Sequence, residues 1–358
     1  MTDARQPAMT IAGKPIGDGQ PCFVIAEAGV NHNGDMALAH KLVDAAHAAG
    51  ADAVKFQAFV TEELVTPDAP KAGYQVETTG AAGAQFKMLK ALELSAEQQA
   101  AIKAHCERLG LVYLCTPYDF PSADLLDRLG VAAYKVASTD TTNVPFLRHL
   151  ASKGRAVILS TGLSTLEEVE TAVESLASIR DRLALLHCTS EYPAPPEESN
   201  LRAMATLRRA FAVPVGFSDH TAGIGLSPMA VAAGAALIEK HMTLDRTLPG
   251  PDHRASVEPQ EMAELVKQVR WVETALGDGG KRPMPSEIGN KARMQKSLVA
   301  RRAITAGQTI GPEDLTCKRP ATGLSPALWD KVIGQKAAID LPADTVLQMS
   351  SVAWSGRP

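Results

Sequence analysis

The chain has 358 residues, 45% of them hydrophobic and 21% charged, the proportions of a globular protein with room for one large domain and a small one. Its formal net charge of −4, with lysines and arginines scattered rather than blocked, argues against a nucleic-acid partner. Met1–Thr10 is polar, which excludes a signal peptide, and the longest apolar stretch, Met229 to Ile238, is too short to span a bilayer, so no membrane partner is expected.

Eight short apolar runs alternate with amphipathic stretches between Cys22 and about Gly277. In chain order they are CFVIAEAG from Cys22, AVKFQAF from Ala53, LVYLCTP from Leu111, AAYKVAS from Ala132, AVILSTG from Ala156, LALLHCTS from Leu183, PVGFSDH from Pro214 and ALIEKHMT from Ala236. Near-continuous Val, Ile, Leu and Ala is the pattern of parallel strands buried on both faces. Helices are predicted between them. Asp35 to Gly50 has helical spacing and a terminal glycine. Ser95 to Gly110 opens with a capping pattern, Ser95 to Gln98. Ser164 to Glu168 opens another helix, and Glu258 to Leu276 closes the series.

Eight strand–helix units over this length predict an α/β fold, a (β/α)8 TIM barrel. A doubly wound open sheet is the second choice, weakened because no GxGxxG follows the first run. The connection from Val60 to Leu94 is long and rich in proline and glycine; such a loop is expected to cover the barrel mouth. After Gly277 the composition changes. The expected organisation is a barrel domain over 1–280, a linker over 281–296, and a small β-rich domain over 297–358. Five widely spaced cysteines without a CxxC fit reduced thiols in a cytoplasm; Cys22, Cys115 and Cys188 fall in apolar runs and are expected as buried hydrophobes.

In a barrel of this kind chemistry gathers at the C-terminal strand ends. Each run carries a polar residue there: Glu27 on the first, Lys55 and Gln57 on the second, Thr116 on the third, Lys135 and Ser138 on the fourth, Ser160 on the fifth, Ser190 on the sixth, Ser218 and His220 on the seventh, Glu239, Lys240 and His241 on the eighth. Unpaired buried charge is costly, so these groups should converge on a polar ligand or on one another. Two lysines with several hydroxyls describe an anion site. His220 and His241 at neighbouring strand ends describe a divalent-metal site with open positions. Oxygen-rich surroundings suit Mn²⁺ or Mg²⁺; imidazole also suits Zn²⁺ or Co²⁺. Taken singly, Lys55 reads equally well as a salt-bridged lysine beside Glu27. His187 reads as a satisfied core histidine, and His40, His47, His105 and His149 as helix-surface residues.

These stretches resemble the sialic acid (nonulosonic acid) synthase family. The matching segments are IAEAGVNHNG from Ile25, GADAVKFQ from Gly50, TPYD from Thr116, YKVAS from Tyr134, ILSTG from Ile158, LLHCTSEYPAP from Leu185, GFSDHT from Gly216, IEKHMTLDR from Ile238 and PGPDH from Pro249. The C-terminal part is similar to the antifreeze-like (SAF) domain through SLVARRAITAGQTI, KRP and VIGQKA. The resemblance implies a metal-dependent enzyme, with Mn²⁺ as first choice and Mg²⁺ or Co²⁺ as alternatives, that joins phosphoenolpyruvate to an N-acyl mannosamine-type sugar. It implies that Lys55, Thr116, Lys135, Ser138, Ser160, Ser190 and Ser218 hold the phosphate and carboxylate. His220 and His241 would be the metal ligands, and Glu27, Gln57, Tyr192 and Asp252 would lie near the reacting sugar, with Glu27 as the base for water. A domain-swapped homodimer is implied, with Arg319 of KRP touching the acyl group of the partner's sugar.

Two departures matter. Neuraminate-making relatives usually read GSGE where this chain reads ASTD, Ala137 to Asp140, so Asp140 is expected to meet the sugar with a shorter carboxylate. TSEYPAP, from Thr189, looks more like the legionaminic-acid synthases, which favours a diacetamido trideoxymannose acceptor over N-acetylmannosamine; the pseudaminic branch ranks third. Three other readings stand lower: a synthase of shorter 3-deoxy acids, an idle sugar-binding barrel, and an ice-binding C-terminal module.

Overall fold

The computed structural model describes residues 9–80 and 84–356. The polar stretch read at the N-terminus therefore falls outside the described residues as far as residue 8. The chain divides into two compact units, the first ending at Gly277 and the second starting at Asp278.

The first unit opens with an antiparallel hairpin, β1 (Met9–Ile11) and β2 (Lys14–Ile16). Eight parallel strands follow: β3 (Phe23–Gly29), β4 (Ala53–Ala58), β5 (Val112–Pro117), β6 (Ala133–Val136), β7 (Ala156–Ser160), β8 (Leu183–Cys188), β9 (Val215–Asp219) and β10 (Leu237–His241). They pair in sequence order, and β10 pairs back onto β3, so the sheet is a closed barrel. Every predicted run is a strand, and the β10–β3 ladder rules out the open sheet.

Strand periodicity explains the two apolar layers. One set of alternate residues, including Val24, Val54, Phe56, Tyr113, Tyr134, Val157, Leu185 and Phe217, packs against the helices. Full burial of an aromatic of this size contributes roughly 2–3 kcal/mol. The other set, including Phe23, Ile25, Ala53, Leu114, Ala133, Ile158, Leu186 and Leu237, fills the barrel interior. Met9, Ile11 and Ile16 of the hairpin join this inner cluster, so β1 and β2 plug the barrel at the N-terminal strand ends. Asp52 fastens that end: its carboxylate meets Lys14 at 2.8 Å, Arg270 at 2.8 Å and the Val24 amide at 3.0 Å.

The helices start where local chemistry satisfies their free N–H groups. Asp35 caps Met36–Ala48, and Ser95 with Gln98 forms a capping box for Ala96–Arg108. Thr165 rather than Ser164 caps Leu166–Ser175, with Glu168 completing the box. The long connection after β4 folds into three short helices, Thr61–Leu64, Gly73–Thr79 and Gln85–Lys90.

The second unit begins with the helix Pro285–Met294, inside the segment read as a linker. Two antiparallel pairs follow, β11 (Ser297–Ala300) with β12 (Leu315–Lys318), and β13 (Lys336–Ala337) with β14 (Val352–Ala353). Its own core contains Leu298, Ile304, Ile310, Leu315, Val332, Leu341 and Leu347. No helix among the described residues is long and apolar enough to cross a membrane.

Candidate active site

A cavity of about 480 Å³ opens at the C-terminal strand ends of the barrel, a volume in the range of small-molecule sites. One inward step along each strand separates it from the apolar interior: Ile25 gives way to Glu27, Ala53 to Lys55, Leu114 to Thr116, Ala133 to Lys135, Ile158 to Ser160 and Leu237 to Glu239. Glu27, Lys55, Gln57, Thr116, Lys135, Ser138, Ser160, Ser190, Tyr192, Ser218, His220, His241 and Asp252 all line the cavity.

Asp140 does not line the cavity; it lies buried in the turn after β6, where its carboxylate accepts from the Asn143 side-chain amide at 2.9 Å, and Thr139 reaches the cavity instead. Arg319 belongs to the second unit, exposed just after β12.

Four buried charges form the floor. Lys55 Nζ lies 2.8 Å from Glu27 Oε2 and 3.8 Å from Glu239 Oε2, and it donates to Thr116 Oγ1 at 3.0 Å. Lys135 Nζ lies 3.5 Å from Glu239 Oε1. The sequence marks Glu239 as a strand-end residue without a role; the closed barrel makes it the group that faces both lysines. Strand alternation was the available signal, because Glu239 sits two residues before His241 and shares its face. Lys240, between them, points the other way and pairs with Asp219 at 3.2 Å in the helix-facing layer.

The environments separate the carboxyls. Burial opposes ionisation of Glu239, but Lys135 and Lys55 outweigh it and pull the carboxyl down to about 2. Glu27 is pushed up to about 7 by burial, only partly offset by Lys55. Burial likewise raises Asp252 to about 6. Burial also lowers Lys135, and the neighbouring Lys55 charge adds to the effect. For Lys55 burial acts the same way, yet Glu239 and Glu27 prevail and its pKa rises.

Two glycines let the backbone come close. Gly29, at φ +52°, ends β3 where a Cβ would stand 3.3 Å from Glu27 Oε1 and 3.6 Å from Asp252 Oδ2. At Gly162 a Cβ would crowd Ser190 Oγ and stand 2.8 Å from Ser138 Oγ. Its own N–H donates to Ser138 Oγ at 3.0 Å. The result is a group of hydroxyls, Ser138, Ser160 and Ser190, lining the same cavity as the lysines and suited to an anion.

His220 and His241 face each other with ring centroids 5.5 Å apart, and the Tyr192 ring lies 4.3 Å from that of His220. Burial pushes His220 down to about 4 and His241 well below the usual range, so both rings are neutral at pH 7. The Thr189 carbonyl, 2.7 Å from His220 Nδ1, can only accept, which places the ring proton there and the lone pair on Nε2. Ser218 spends its hydroxyl proton on Glu239 at 2.8 Å, so its lone pair faces His220 Nε2 at 3.1 Å. His241 Nδ1 is buried without a hydrogen-bond partner. The His220 lone pair and the unpartnered His241 nitrogen, on two neutral imidazoles, fit a divalent cation, and no group of three His, Cys, Asp or Glu forms a cluster among the described residues, which leaves positions for substrate or water.

His187 has the partner its structural reading calls for, His47 is exposed, and His40, His105 and His149 are half-buried rather than on the surface. His187 Nε2 lies 2.8 Å from the Ser199 carbonyl. Cys22, Cys106, Cys115 and Cys188 are buried free thiols.

Residues 42–281 match the NeuB family model, and residues 295–353 match the SAF domain. The chain is 46% identical to the N,N'-diacetyllegionaminic acid synthase of Legionella pneumophila over 93% of this chain and 95% of that one. It is 44% identical to the Campylobacter jejuni enzyme of the same name over 91% and 98%. Among solved structures it resembles the N-acetylneuraminic acid synthetase of Leptospira borgpetersenii in complex with citrate. That match has a TM-score of 0.72 and 37% identity, over 80% of this chain and 95% of that one.

Proposed function

The chain belongs to the NeuB family and is a nonulosonic acid synthase, and from that premise we propose that it condenses phosphoenolpyruvate with 2,4-diacetamido-2,4,6-trideoxymannose to give N,N'-diacetyllegionaminate and phosphate. The observation that carries this reading is the buried Lys55–Glu239–Lys135 floor beneath two neutral histidines, in a chain 46% identical to a diacetyllegionaminic acid synthase.

Lys55 and Lys135 supply charge for the phosphate and carboxylate of phosphoenolpyruvate. Thr116, Ser138, Ser160 and Ser190 supply hydrogen bonds, while Ser218 keeps its hydroxyl proton on Glu239 and holds that carboxylate at the cavity wall. His220 and His241 would hold a divalent ion, Mn²⁺ in this reading, which would supply Lewis-acid polarisation of the sugar's carbonyl. Gln57, Tyr192 and Asp252 flank the open-chain sugar and hold its aldehyde carbon over C3 of phosphoenolpyruvate. C3 bonds to the aldehyde carbon as its C=O π bond opens and the oxygen takes up a proton; water adds at C2 with its proton passing to Glu27, and the C2–O bond to phosphate breaks as the C2 hydroxyl loses its proton to leave a ketone. The lysines hold the departing phosphate. A cytoplasmic homodimer belongs to the same reading, with the second unit exchanged between subunits and Arg319 meeting the acyl group in the partner's cavity.

The test is a product assay. Metal-stripped protein receives Mn²⁺, phosphoenolpyruvate and, in separate reactions, the diacetamido trideoxy sugar or N-acetylmannosamine. One phosphate released per diacetamido nine-carbon acid, detected by mass, is the expected result. Product from N-acetylmannosamine alone would make the chain an N-acetylneuraminate synthase. No metal-dependent product from either would overturn the reading.

A further inference from the structure

The cavity has two unlike halves. Its floor is the charged and hydroxylated layer described above. Its outer wall comes from the connection after β4, where Leu64, Met88, Leu89 and Leu92 face the cavity. They pack with Val30 and Phe59 in an apolar cluster separate from the main core. The wall presents no charge. Apart from Lys55 and Lys135, no lysine or arginine among the described residues lines the cavity. Lys90, on the same connection, is turned to Glu62 and Glu93, each at 3.0 Å, and Lys71 donates to Thr79 and to the Gly80 carbonyl. The wall's polar members are neutral amides, Gln75 and Gln85, bonded to each other at 3.0 Å.

Resting on the function proposed above, we propose that this wall reads the far end of the acceptor sugar and selects a chain ending in a methyl group over one ending in a hydroxymethyl or a phosphate. The reacting aldehyde must meet phosphoenolpyruvate over the lysines, so the opposite end of a six-carbon acceptor points away from the floor, toward the connection. A methyl group there replaces water against Met88 and Leu89 and buries apolar area. A hydroxyl set against Met88 and Leu89 exchanges water for apolar neighbours, since the Gln75 and Gln85 amides are bonded to each other, and a phosphate there meets no lysine or arginine among the wall's described residues. The specificity is therefore built into Leu64, Met88, Leu89 and Leu92, outside the strand ends that do the chemistry.

The test compares three acceptors with the Mn²⁺-loaded enzyme at saturating phosphoenolpyruvate. They are 2,4-diacetamido-2,4,6-trideoxymannose, its 6-hydroxy counterpart and the 6-phosphate of that counterpart. The expected kcat/KM preference for the 6-deoxy sugar over the 6-hydroxy sugar is on the order of ten- to a hundredfold, the range for one group in an apolar pocket. The 6-phosphate should give no detectable product. Met88→Gln, close to isosteric, should shrink the preference to within about threefold while the KM for phosphoenolpyruvate stays unchanged; Met88→Leu should retain it. Equal kcat/KM for the 6-deoxy and 6-hydroxy sugars in the unmodified enzyme would overturn the inference while leaving the synthase reading intact. So would a Met88→Gln change that lowers both sugars in proportion. Absence of product from all three would defeat the synthase reading itself, and this inference with it.

Discussion

The two ends of the barrel interior are built from the same strands, and they differ by one inward step. At the N-terminal end Phe23, Ile25, Leu114, Ile158 and Leu237 pack with the hairpin residues Met9, Ile11 and Ile16. At the C-terminal end the next inward positions are Glu27, Thr116, Ser160 and Glu239, with Lys55 and Lys135 beside them. The first layer gains from leaving water; the second accepts the cost of desolvated charge and returns it as ligand binding. Stability and chemistry are thus divided by level along the barrel axis, and substitutions at the two levels should fail in different ways.

The sharpest contrast comes from Lys135→Met. Its kcat/KM should fall on the order of 10³-fold, the loss seen when a charge-stabilising group leaves an active site. The fold should barely notice. The Lys135 charge is opposed by burial and by Lys55, so removing it relieves about as much as it forfeits against Glu239. Thermal unfolding should shift by no more than about 2–4 °C, equivalent to roughly 1 kcal/mol. A collapse of Tm would show that the charged level is structural after all.

Leu114→Ala tests the other level. Leu114 is fully buried in the inner cluster, so the variant should lose about 2–5 kcal/mol, read as a lower urea midpoint. Its folded fraction should keep kcat/KM within about threefold. A loss of activity as large as that of Lys135→Met would erase the division between levels.

A smaller effect concerns the rim. His32, just past β3, is fully buried, its Nδ1 accepts from the Gly34 amide at 2.9 Å, and its Nε2 has no partner. Burial, with repulsion from His253, lowers it to about 4. A folded pKa below the unfolded value of about 6.5 means the neutral ring is favoured in the fold. Its contribution is complete above pH 6.5 and is lost as pH falls toward 4, by up to about 3 kcal/mol. Urea unfolding at pH 7 and pH 4.5 should show that slope, and His32→Gln should flatten it. An unchanged slope in the variant would place the acid sensitivity elsewhere.

Much of the site was legible because parallel strands of a barrel write their pattern locally. Position at the strand ends placed Lys55 with Gln57 and Ser218 with His220 at one level. The same logic reached Glu239 but could not assign it, since its importance lies in two lysines from other strands. Asp140 was placed near the sugar by motif, whereas the tight turn at Ser138–Asp140 and its bond from Asn143 hold the carboxylate away from the cavity.

What the sequence by itself determined, then, is the eight barrel strands, the caps that start several helices, and which polar residues end each strand, because these depend on neighbours a few positions away. Tertiary structure alone decided which faces close into an interior, that the first hairpin plugs one end, that Glu239 stands between Lys55 and Lys135, and that the connection over 60–94 gives the cavity an apolar wall. Those outcomes depend on the stagger between strands far apart in the chain, and no local pattern encodes the level at which one strand meets another.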